Sequence, residues 1–192
     1  NSFQLTCPTG SPVNCSFTVT VVDNQPPVVS CPSNITTTAA SSQCQRTVTY
    51  TTPTATDNCS VSSVTRTAGL ASNSNFPVGT TVVTYQATDP SGNVGSCSFN
   101  VVVTDNQLPS ISCPAGFTTP ANSSCVATGI SIGSASASDN CGIASLTNNA
   151  PGTFPLGPTT VTLTETDNSS NVRTCTQVIT VVDNTPPSIT CP

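Results

Sequence analysis

The sequence predicts an all-β protein made of small antiparallel β-sandwiches in tandem. Three observations predict it: a set of motifs that recurs about every 80 residues, an alternation of apolar and polar residues within each unit, and eleven cysteines. Charged residues make up only 6% of the 192-residue chain. Thr and Val, which favour strands, are abundant, so long helices are not expected.

The repeat is visible in short motifs. Asp-Asn-x-x-Pro occurs at 23–27, 105–109 and 183–187, Ser/Thr-Cys-Pro at 30–32, 112–114 and 190–192, Asp-Asn-Cys at 57–59 and 139–141, and Phe-Pro-x-Gly at 76–79 and 154–157. This spacing predicts two full units, 25–106 and 107–184. Residues 1–24 are predicted to form the last strands of a preceding unit, and 185–192 the start of a following one. We therefore expect a segment of a longer array, or ends that neighbouring chains complete.

Within each unit, apolar residues alternate with polar ones. This alternation is typical of strands with one face on a core and the other in water. In the first unit the apolar positions are Val48, Tyr50, Val83, Tyr85, Ala87, Phe99, Val101 and Val103. Turn residues such as those at 89–93 separate the strands. Several short strands in about 80 residues predict an antiparallel β-sandwich.

Charge excludes several function classes. The net charge is −5, and the only cations are Arg46, Arg66 and Arg173. Clustered cations are needed to neutralise phosphates, so neither nucleic acid nor an anionic membrane surface is an expected partner. No apolar run approaches the roughly 18 residues of a membrane span. The chain has no His to activate a nucleophile, and we predict that it is not an enzyme.

The cysteines predict disulfides and an extracellular location. The chain has neither Cys-x-x-Cys pairs nor His, so zinc binding is disfavoured. Each full unit holds four cysteines: Cys31, Cys44, Cys59 and Cys97 in the first, and Cys113, Cys125, Cys141 and Cys175 in the second. Four cysteines allow three connectivities, among which the sequence alone does not choose. Cys7 can pair with Cys15, which leaves Cys191 for a partner beyond this chain.

At this level of detail the motifs resemble the hyalin repeat family. The pattern is Asp-x-x-Pro-Pro-x-x-x-Cys-Pro, then Pro-x-Ala-x-Asp-Asn, then Phe-Pro-x-Gly-x-x-x-Val-x-Tyr-x-x-x-Asp, then Gly-Asn-x-x-x-Cys-x-Phe, and the first unit matches it almost throughout. The second unit departs at Leu108, Leu163, Asn171 (preceded by Ser170 instead of Gly) and Gln177. The resemblance implies an immunoglobulin-like sandwich that occurs in tandem in extracellular and adhesive proteins.

The resemblance also implies a disulfide pairing. Family members with two cysteines keep the equivalents of Cys31 and Cys97. On that basis we expect Cys31–Cys97 with Cys44–Cys59 in the first unit, and Cys113–Cys175 with Cys125–Cys141 in the second. The outer pairs would tie the first strand to the last.

Seven of the eight acidic residues recur at repeat positions: Asp23, Asp57, Asp89, Asp105, Asp139, Asp167 and Asp183. The simpler interpretation is that each aspartate caps a turn through its own backbone. The alternative is a calcium site built from Asp57, Asp89, Asp105, Asp139, Asp167 and Asp183, since Ca²⁺ binds carboxylate oxygens. No other metal or cofactor is expected. The recurrence in each unit argues against a unique catalytic pair of acids.

Sugar attachment is expected from five Asn-x-Ser/Thr sequons, at Asn14, Asn34, Asn58, Asn122 and Asn168. The proline pairs Pro26-Pro27 and Pro186-Pro187 stiffen the junctions between units. We therefore predict a glycosylated structural subunit or segment of an extracellular fibre or appendage, which self-associates into filaments, with strand addition as one route. The alternatives are a cell-surface adhesion module that uses the loops at 73–75 and 148–149, and an accessory region of a secreted enzyme.

Overall fold

A computed structural model describes residues 4–6, 12–14 and 18–191 of the chain. The described residues form strands, turns and irregular segments. The all-β class predicted from the sequence is thus confirmed. Among these residues there is no helix long and apolar enough to cross a membrane.

The described N-terminal residues form a hairpin. Strands β1 (Gln4–Thr6) and β2 (Pro12–Asn14) pair antiparallel, with Leu5 opposite Val13. Cys7 and Cys15 lie outside the described residues, so their pairing stays a prediction. The assignment of 1–24 to a preceding repeat also stays a prediction.

Two tandem repeats follow the hairpin, and each contains eight strands. The first repeat contains β3 (Val28–Ser30), β4 (Ile35–Thr38), β5 (Gln45–Val48), β6 (Thr54–Thr56), β7 (Ser63–Ala68), β8 (Ser74–Pro77), β9 (Gly79–Thr88) and β10 (Val94–Thr104). The second contains β11 (Ser110–Ser112), β12 (Phe117–Pro120), β13 (Val126–Thr128), β14 (Ser136–Ser138), β15 (Ile143–Asn148), β16 (Thr153–Pro155), β17 (Gly157–Asp167) and β18 (Val172–Val182). The Phe-Pro-x-Gly motif separates a short strand from a long one in both repeats. Gly79 and Gly157 have φ values of 115° and 91° there, which favour glycine.

Each repeat has one four-stranded sheet and two two-stranded ladders. The four-stranded sheets have the orders β4-β10-β9-β7 and β12-β18-β17-β15. The ladders are β3–β6 and β5–β8 in the first repeat, and β11–β14 and β13–β16 in the second. The antiparallel prediction is wrong for one pair in each repeat, because β4 runs parallel to β10 and β12 runs parallel to β18. Most of the repeat lies between these two strands, and such a long connection permits parallel pairing.

By its internal contacts the chain divides into two compact parts, and these parts do not coincide with the two sequence repeats. One comprises the described part of Asn1–Cys31 with Pro53–Thr67 and Thr84–Ser98, and it holds the β3–β6 ladder. The other comprises Pro32–Thr52, Ala68–Val83 and the described residues from Phe99 onward. This second compact part holds the β5–β8 ladder of the first repeat together with the strands of the second repeat.

The core follows the predicted period of two. In the second repeat, Ala127, Phe154, Val161, Leu163, Ile179 and Val181 form one buried cluster. The equivalent strands of the first repeat bury Val83, Tyr85, Ala87, Phe99, Val101 and Val103. Tyr50 packs edge-on against Phe76 and Phe99, with ring centroids 6.5 and 5.0 Å away.

Candidate functional site

One disulfide in each repeat ties the beginning of the repeat to its end. Cys31 bonds with Cys97 and Cys113 with Cys175, as the family resemblance implied, with Cα atoms 5.9 and 5.7 Å apart. They close loops spanning 66 and 62 positions in the sequence. Closing loops of this length restricts the unfolded chain and stabilises a fold by about 4 kcal/mol each.

The third disulfide joins the two repeats. Cys44 bonds with Cys141, 97 residues further along, with Cα atoms 4.8 Å apart. The expected pairs Cys44–Cys59 and Cys125–Cys141 are therefore wrong. Cys125 precedes β13, whose ladder partner is β16, whereas Cys141 follows β14, whose ladder partner is β11. The two cysteines of the second repeat therefore border different ladders, and Cys141 bonds with a turn from the first repeat instead.

Three cysteines are unpaired in the described part of the chain: Cys59, Cys125 and Cys191, all exposed. The pKa of the Cys59 thiol is raised above its ordinary value. A hydrogen bond to Asp23 is the largest cause, followed by burial and then by the negative charges of Asp23, Asp57 and Asp89. This thiol is consequently less ionised at neutral pH than an ordinary cysteine.

The turn that carries Cys44 is held by side chains of the second repeat. We call residues 40–44 the cysteine turn, and Gln107, Asn140 and Cys141 the junction face. Gln107 Oε1 accepts a hydrogen bond from Ser42 N at 2.8 Å, and Gln107 Nε2 donates to Ala40 O at 3.1 Å. Asn140 Nδ2 donates to Gln43 O at 3.0 Å. The disulfide is therefore one part of a docked contact with three further hydrogen bonds.

Gln107 and Asn140 had not been identified from the sequence. The signal was present, because both belong to the recurring motifs Asp-Asn-Gln and Asp-Asn-Cys. In the second repeat, these two amides are the partners of the turn that carries Cys44.

The recurring aspartates accept hydrogen bonds within turns of both repeats. Asp139 Oδ2 accepts from Cys141 N at 2.7 Å, and Asp57 Oδ2 accepts from Cys59 N at 3.0 Å. Asp167 accepts from the backbone and side-chain nitrogens of Asn171 at 2.7 and 2.8 Å. Asp89 accepts from the same two atoms of Asn93 at 2.8 and 2.7 Å. The turn interpretation is therefore confirmed for these four aspartates.

Hydrogen bonding also sets the acidity of Asp89. Burial alone would raise the pKa of this carboxyl group. The hydrogen bonds from the Asn93 side chain and from the Asn93, Ser91 and Gly92 backbone outweigh burial and lower the pKa below its ordinary value. Asp89 is therefore held in its ionised form within the turn.

Two groups of acidic side chains come together in the described residues. Asp23, Asp57 and Asp89 each place one oxygen within 4.8 Å of the others. Asp105 and Asp139 come together in the same way with the sulfur of Cys141, but that sulfur is engaged in a disulfide and is not a thiolate ligand. Asp167 and Asp183 belong to neither group within the described chain. Calcium binding stays a prediction.

The second repeat buries two polar side chains where the first has apolar ones. Glu165 and Gln177 occupy the strand positions of Ala87 and Phe99, and both are buried. Gln177 Nε2 donates to Ala115 O at 2.8 Å, but both oxygens of Glu165 lack a hydrogen-bond partner in this structure. Burial, and then the charges of Asp139 and Asp167, raise the pKa of Glu165 above its ordinary value.

The sequon asparagines differ in how their amides are used. Asn34 Oδ1 accepts from Asn100 N at 2.8 Å, and Asn122 Oδ1 accepts from Ser124 N at 2.9 Å. These bonds use the oxygen and not the nitrogen to which a glycan is attached. Asn168 Nδ2, in contrast, donates to Cys141 O at 2.8 Å. Asn14 is described only as the end of β2. Glycosylation stays a prediction for all five sequons.

The β-strands, the tandem repeat and the bond between repeats define a disulfide-linked β-sandwich repeat protein. The HYR domain family matches residues 22–103 and 104–181. The chain belongs to this family, as the sequence motifs indicated.

Among curated proteins, the chain is similar to two sea urchin proteins named hyalin. It is 38% identical over 202 aligned positions to that of Strongylocentrotus purpuratus and 40% identical over 197 to that of Lytechinus variegatus, with 93% of this chain covered in both cases. It is also 33% identical over 171 positions to the rat "Sushi, von Willebrand factor type A, EGF and pentraxin domain-containing protein 1". The chain spans only 16%, 36% and 4% of the lengths of these three relatives.

Among solved structures, the chain is similar to the extracellular cadherin domains 1–5 of protocadherin gamma B2. The sequence identity is 12% and the TM-score 0.44, over 95% of this chain and 51% of that one. Drosophila N-cadherin domains 1–4 give a TM-score of 0.38 at 12% identity, over 83% of this chain and 50% of that one.

Proposed function

We propose that this chain is a structural segment of an extracellular fibre or appendage built from tandem HYR repeats. The observation that carries the proposal is the disulfide between Cys44 and Cys141, which joins one repeat covalently to the next. Structural disulfides persist in oxidising surroundings outside the cell. A covalent bond between neighbouring repeats suits a protein that holds extracellular material together.

The role is proposed to be non-catalytic. The carboxylates of Asp57, Asp89, Asp139 and Asp167 accept hydrogen bonds within their own turns. A carboxylate engaged in this way supports a backbone turn and is poorly placed to transfer protons to a substrate. The hyalin relatives, at 38% and 40% identity, support an extracellular, adhesion-related role for the same repeats.

Glycans and self-association complete the proposal. Charged residues are scarce, at 6% of the chain, and attached sugars would supply the solvation that charges provide in most soluble proteins. Electron microscopy of native, unreduced material tests the assembly, and mass spectrometry of the same sample tests the sugars. Regular filaments with excess mass on sequon asparagines are expected. Dispersed particles at all concentrations would contradict the fibre.

A cell-surface binding module is the second candidate, and one observation favours it. Strand β15 lies at the edge of its sheet, and all six of its residues are exposed, including Ile143 and Leu146. An exposed edge strand with apolar side chains can accept a strand from a partner. Charge substitution at both positions, Ile143→Lys with Leu146→Lys, would then abolish attachment to cells while leaving filaments intact.

A further inference from the structure

The first repeat has its own version of the junction face that holds the cysteine turn in the second repeat. We call Gln25, Asn58 and Cys59 the first junction face, because they occupy the same positions of the Asp-Asn-Gln and Asp-Asn-Cys motifs. Cys59 is unpaired and exposed, whereas its equivalent Cys141 is bonded to the turn. The third Asp-Asn motif has Thr185 in place of the glutamine, so this amide is particular to the first two junctions.

The two junction faces are built by the same hydrogen bonds. In both, the backbone N–H groups of the glutamine and of the cysteine donate to the aspartate two residues earlier. The distances are 3.1 and 3.0 Å in the first face and 3.1 and 2.7 Å in the second. Asn58 Nδ2 donates to Asp23 Oδ1 at 3.4 Å, and Asn140 Nδ2 donates to Asp105 Oδ1 at 3.5 Å. The first face therefore presents the groups that bind a cysteine turn at the second.

The asparagine of the first face lacks the one bond that a docked turn supplies. Asn140 Nδ2 also donates to Gln43 O of the cysteine turn at 3.0 Å. Among the described residues no backbone carbonyl accepts from Asn58 Nδ2, and exchanging the oxygen and nitrogen of its amide lets it donate to Gln25 Oε1 at 3.2 Å. The two amides that hold a turn in the second repeat therefore meet each other in the first.

A cleft beside each face shows where the turn fits. The first cleft is lined by Gln25, Pro26, Val28, Thr56, Asp57 and Asn58. The second is lined by the residues at the same six positions of its repeat and, in addition, by Ser42 of the docked turn. The volume is about 440 Å³ in the first cleft and about 280 Å³ in the second. The first cleft thus has the same walls and more room.

The segment directly before the first junction face has the sequence of the last strand of a repeat. The pattern Cys-Ser-Phe-x-Val-x-Val-x-Asp-Asn occurs at 15–24 and again at 97–106, each time directly before the glutamine of a junction face. Val21 is 91% exposed, whereas Val103 at the same position is buried by its own repeat. The sequence and the exposure together indicate a repeat on the N-terminal side of the first face.

We propose that the first junction face binds the cysteine turn of the repeat that precedes it in the same polypeptide, and that Cys59 forms a disulfide with the cysteine of that turn. Where this contact is observed, the turn of one repeat docks on the face of the next. The 122–125 turn is a poorer occupant, because it is one residue shorter than 40–44 and carries the Asn122 sequon. The joint rests on the proposed function, since it requires tandem HYR repeats in one extracellular chain.

The bond forms by thiol–disulfide exchange with a low-molecular-weight disulfide such as oxidised glutathione. The thiolate of the turn cysteine attacks one glutathione sulfur, forming a mixed disulfide and releasing one glutathione thiolate. The Cys59 thiolate then attacks the sulfur of the turn cysteine and releases the second glutathione. The two protein thiols lose two electrons and two protons, and oxidised glutathione is reduced to two molecules of glutathione.

The test is a longer chain in which residues 25–106 are inserted a second time after Asn106. The new join recreates the Asp-Asn-Gln motif, so the cysteine turn of the leading copy precedes the junction face of the inserted copy. Cys59→Ser in the leading copy prevents a bond between Cys44 and Cys59 within that copy. The inserted copy keeps both cysteines.

Two further substitutions, Cys125→Ser and Cys191→Ser, remove the other unpaired cysteines of the described chain. The protein is secreted to a bacterial periplasm, which oxidises cysteines, in a strain that attaches no N-glycans. Peptide mass spectrometry of the unreduced protein is expected to find Cys44 joined to Cys59 and Cys44 joined to Cys141 in equal amounts.

Cys44→Ser in the leading copy is the matched control. It leaves the turn of the inserted copy bonded to Cys141 and should leave Cys59 open to alkylation. A Cys44–Cys59 peptide that persists in this control would lie within one repeat and would overturn the inference. So would an inserted copy whose Cys59 is alkylated although its Cys31–Cys97 bond has formed.

The amide of Gln25 tests docking separately from the bond. Gln25→Ala in the inserted copy removes the group equivalent to Gln107, which makes two hydrogen bonds to the cysteine turn. In a glutathione redox buffer the ratio of bonded to reduced Cys59 should fall about tenfold, as expected for the loss of two hydrogen bonds. Gln25→Ala in the leading copy, whose face holds no turn, should leave the ratio unchanged. Equal ratios in the two variants would overturn docking at this face.

Native, unreduced material gives a second measurement that does not depend on folding of the longer chain. Cys59 is expected to be bonded to a cysteine of the preceding repeat, and Asn58 to carry no glycan, because its nitrogen then donates to the turn. An alkylatable Cys59, a glycan on Asn58, or a bond from Cys59 to Cys125 of another chain would overturn the inference. Filaments with an alkylatable Cys59 would leave the proposed function standing. A bonded Cys59 in material that never forms filaments would support the joint and contradict the fibre.

Discussion

Cys141 forms its disulfide with Cys44, 97 residues earlier in the chain, and with no cysteine of its own repeat. The contact is continuous with the hydrogen bonds that Gln107 and Asn140 make to the same turn. The free energy of joining two repeats therefore has a covalent and a non-covalent part, which substitutions can separate.

Removing the bond between repeats should lower stability substantially. In the double variant Cys44→Ser with Cys141→Ser, we expect a loss of about 3–5 kcal/mol, because the long closed loop no longer restricts the unfolded chain. Urea denaturation of unreduced protein measures the change. Cys125→Ser, at an exposed unpaired cysteine, is the control and should shift stability by less than about 0.5 kcal/mol. Equal midpoints for the two variants would contradict the prediction.

Removing one amide of the junction face should weaken docking without breaking the disulfide. Gln107→Ala loses the bonds to Ser42 N and Ala40 O, and we expect a loss of about 1–3 kcal/mol. Hydrogen exchange of the Ser42 amide measures the opening of the turn. Thr185→Ala, at the exposed equivalent position of the following junction, is a matched control. Unchanged exchange at Ser42 in Gln107→Ala would show that the disulfide alone holds the turn.

Stability should fall as the pH rises through the ionisation of Glu165. Its folded-state pKa is raised by burial and by Asp139 and Asp167, so the protonated form is the one that the fold favours. That contribution is complete below the unfolded-state pKa and is lost as pH rises through the folded-state pKa. Arg173, opposite Glu165 in the strand register, is exposed and donates instead to Pro109 O.

The variant Glu165→Gln tests this dependence through melting temperatures between pH 4 and 8. The variant should match the parent near pH 4 and become progressively more stable than it towards pH 8. Asp183→Asn, at an exposed carboxylate, controls for the change of net charge. A difference that is constant across the pH range would show that Glu165 does not titrate in the folded protein within it.

Reactivity of Cys59 should increase when Asp23 is neutralised. The hydrogen bond to Asp23 and its negative charge are among the causes that raise the pKa of this thiol, so Asp23→Asn should increase the thiolate fraction at pH 7.5. We expect alkylation by iodoacetamide to become several-fold faster. Cys125 of the same molecule is an internal control whose rate should not change. A Cys59 rate unaffected by the substitution would show that Asp23 does not raise the pKa of this thiol and would leave burial and the charges of Asp57 and Asp89 as the causes.

The glycan occupancy of each sequon should depend on whether the asparagine side-chain nitrogen donates a hydrogen bond in the folded protein. Asn34 and Asn122 form their hydrogen bonds through oxygen, so a glycan on nitrogen leaves these bonds in place. Expressed in a eukaryotic secretory host, these two sequons should be more fully occupied than the sequon at Asn168. Asn168 donates through nitrogen and is expected to be occupied less. Glycopeptide mass spectrometry gives the occupancies, and a higher value at Asn168 than at Asn34 would contradict this order.

The alternation of apolar and polar residues and the recurrence of short motifs predicted much of the fold. The alternation through Val83, Tyr85 and Ala87 correctly gave the buried face of β9, and repetition located the second set of strands. The parallel pairing of β4 with β10 was missed because period-two patterns define faces but not strand direction. The Cys44–Cys141 bond was missed for a related reason: equal spacing within each repeat says nothing about which repeat a turn contacts.

The second repeat shows a different limit of predicting burial from the alternation of apolar and polar residues. Glu165 and Gln177 interrupt the apolar alternation, which would normally indicate solvent-facing positions. The structure buries both, because the neighbouring residues Leu163 and Ile179 on the same strand faces remain in the core. A strand cannot turn one residue outward without turning the whole face.

The pairing of Cys31 with Cys97 and of Cys113 with Cys175 also determines how far the chain can be drawn out under tension. A pull along the backbone passes from Cys31 through sulfur to Cys97, so the polypeptide between them carries no tension. Between these two disulfides, only the 16 residue steps from Cys97 to Cys113 can straighten. At full extension this segment is at most about 55 Å long. As long as these disulfides stay oxidised, the stretch from Cys31 to Cys175 is nearly inextensible even when its sandwiches unfold.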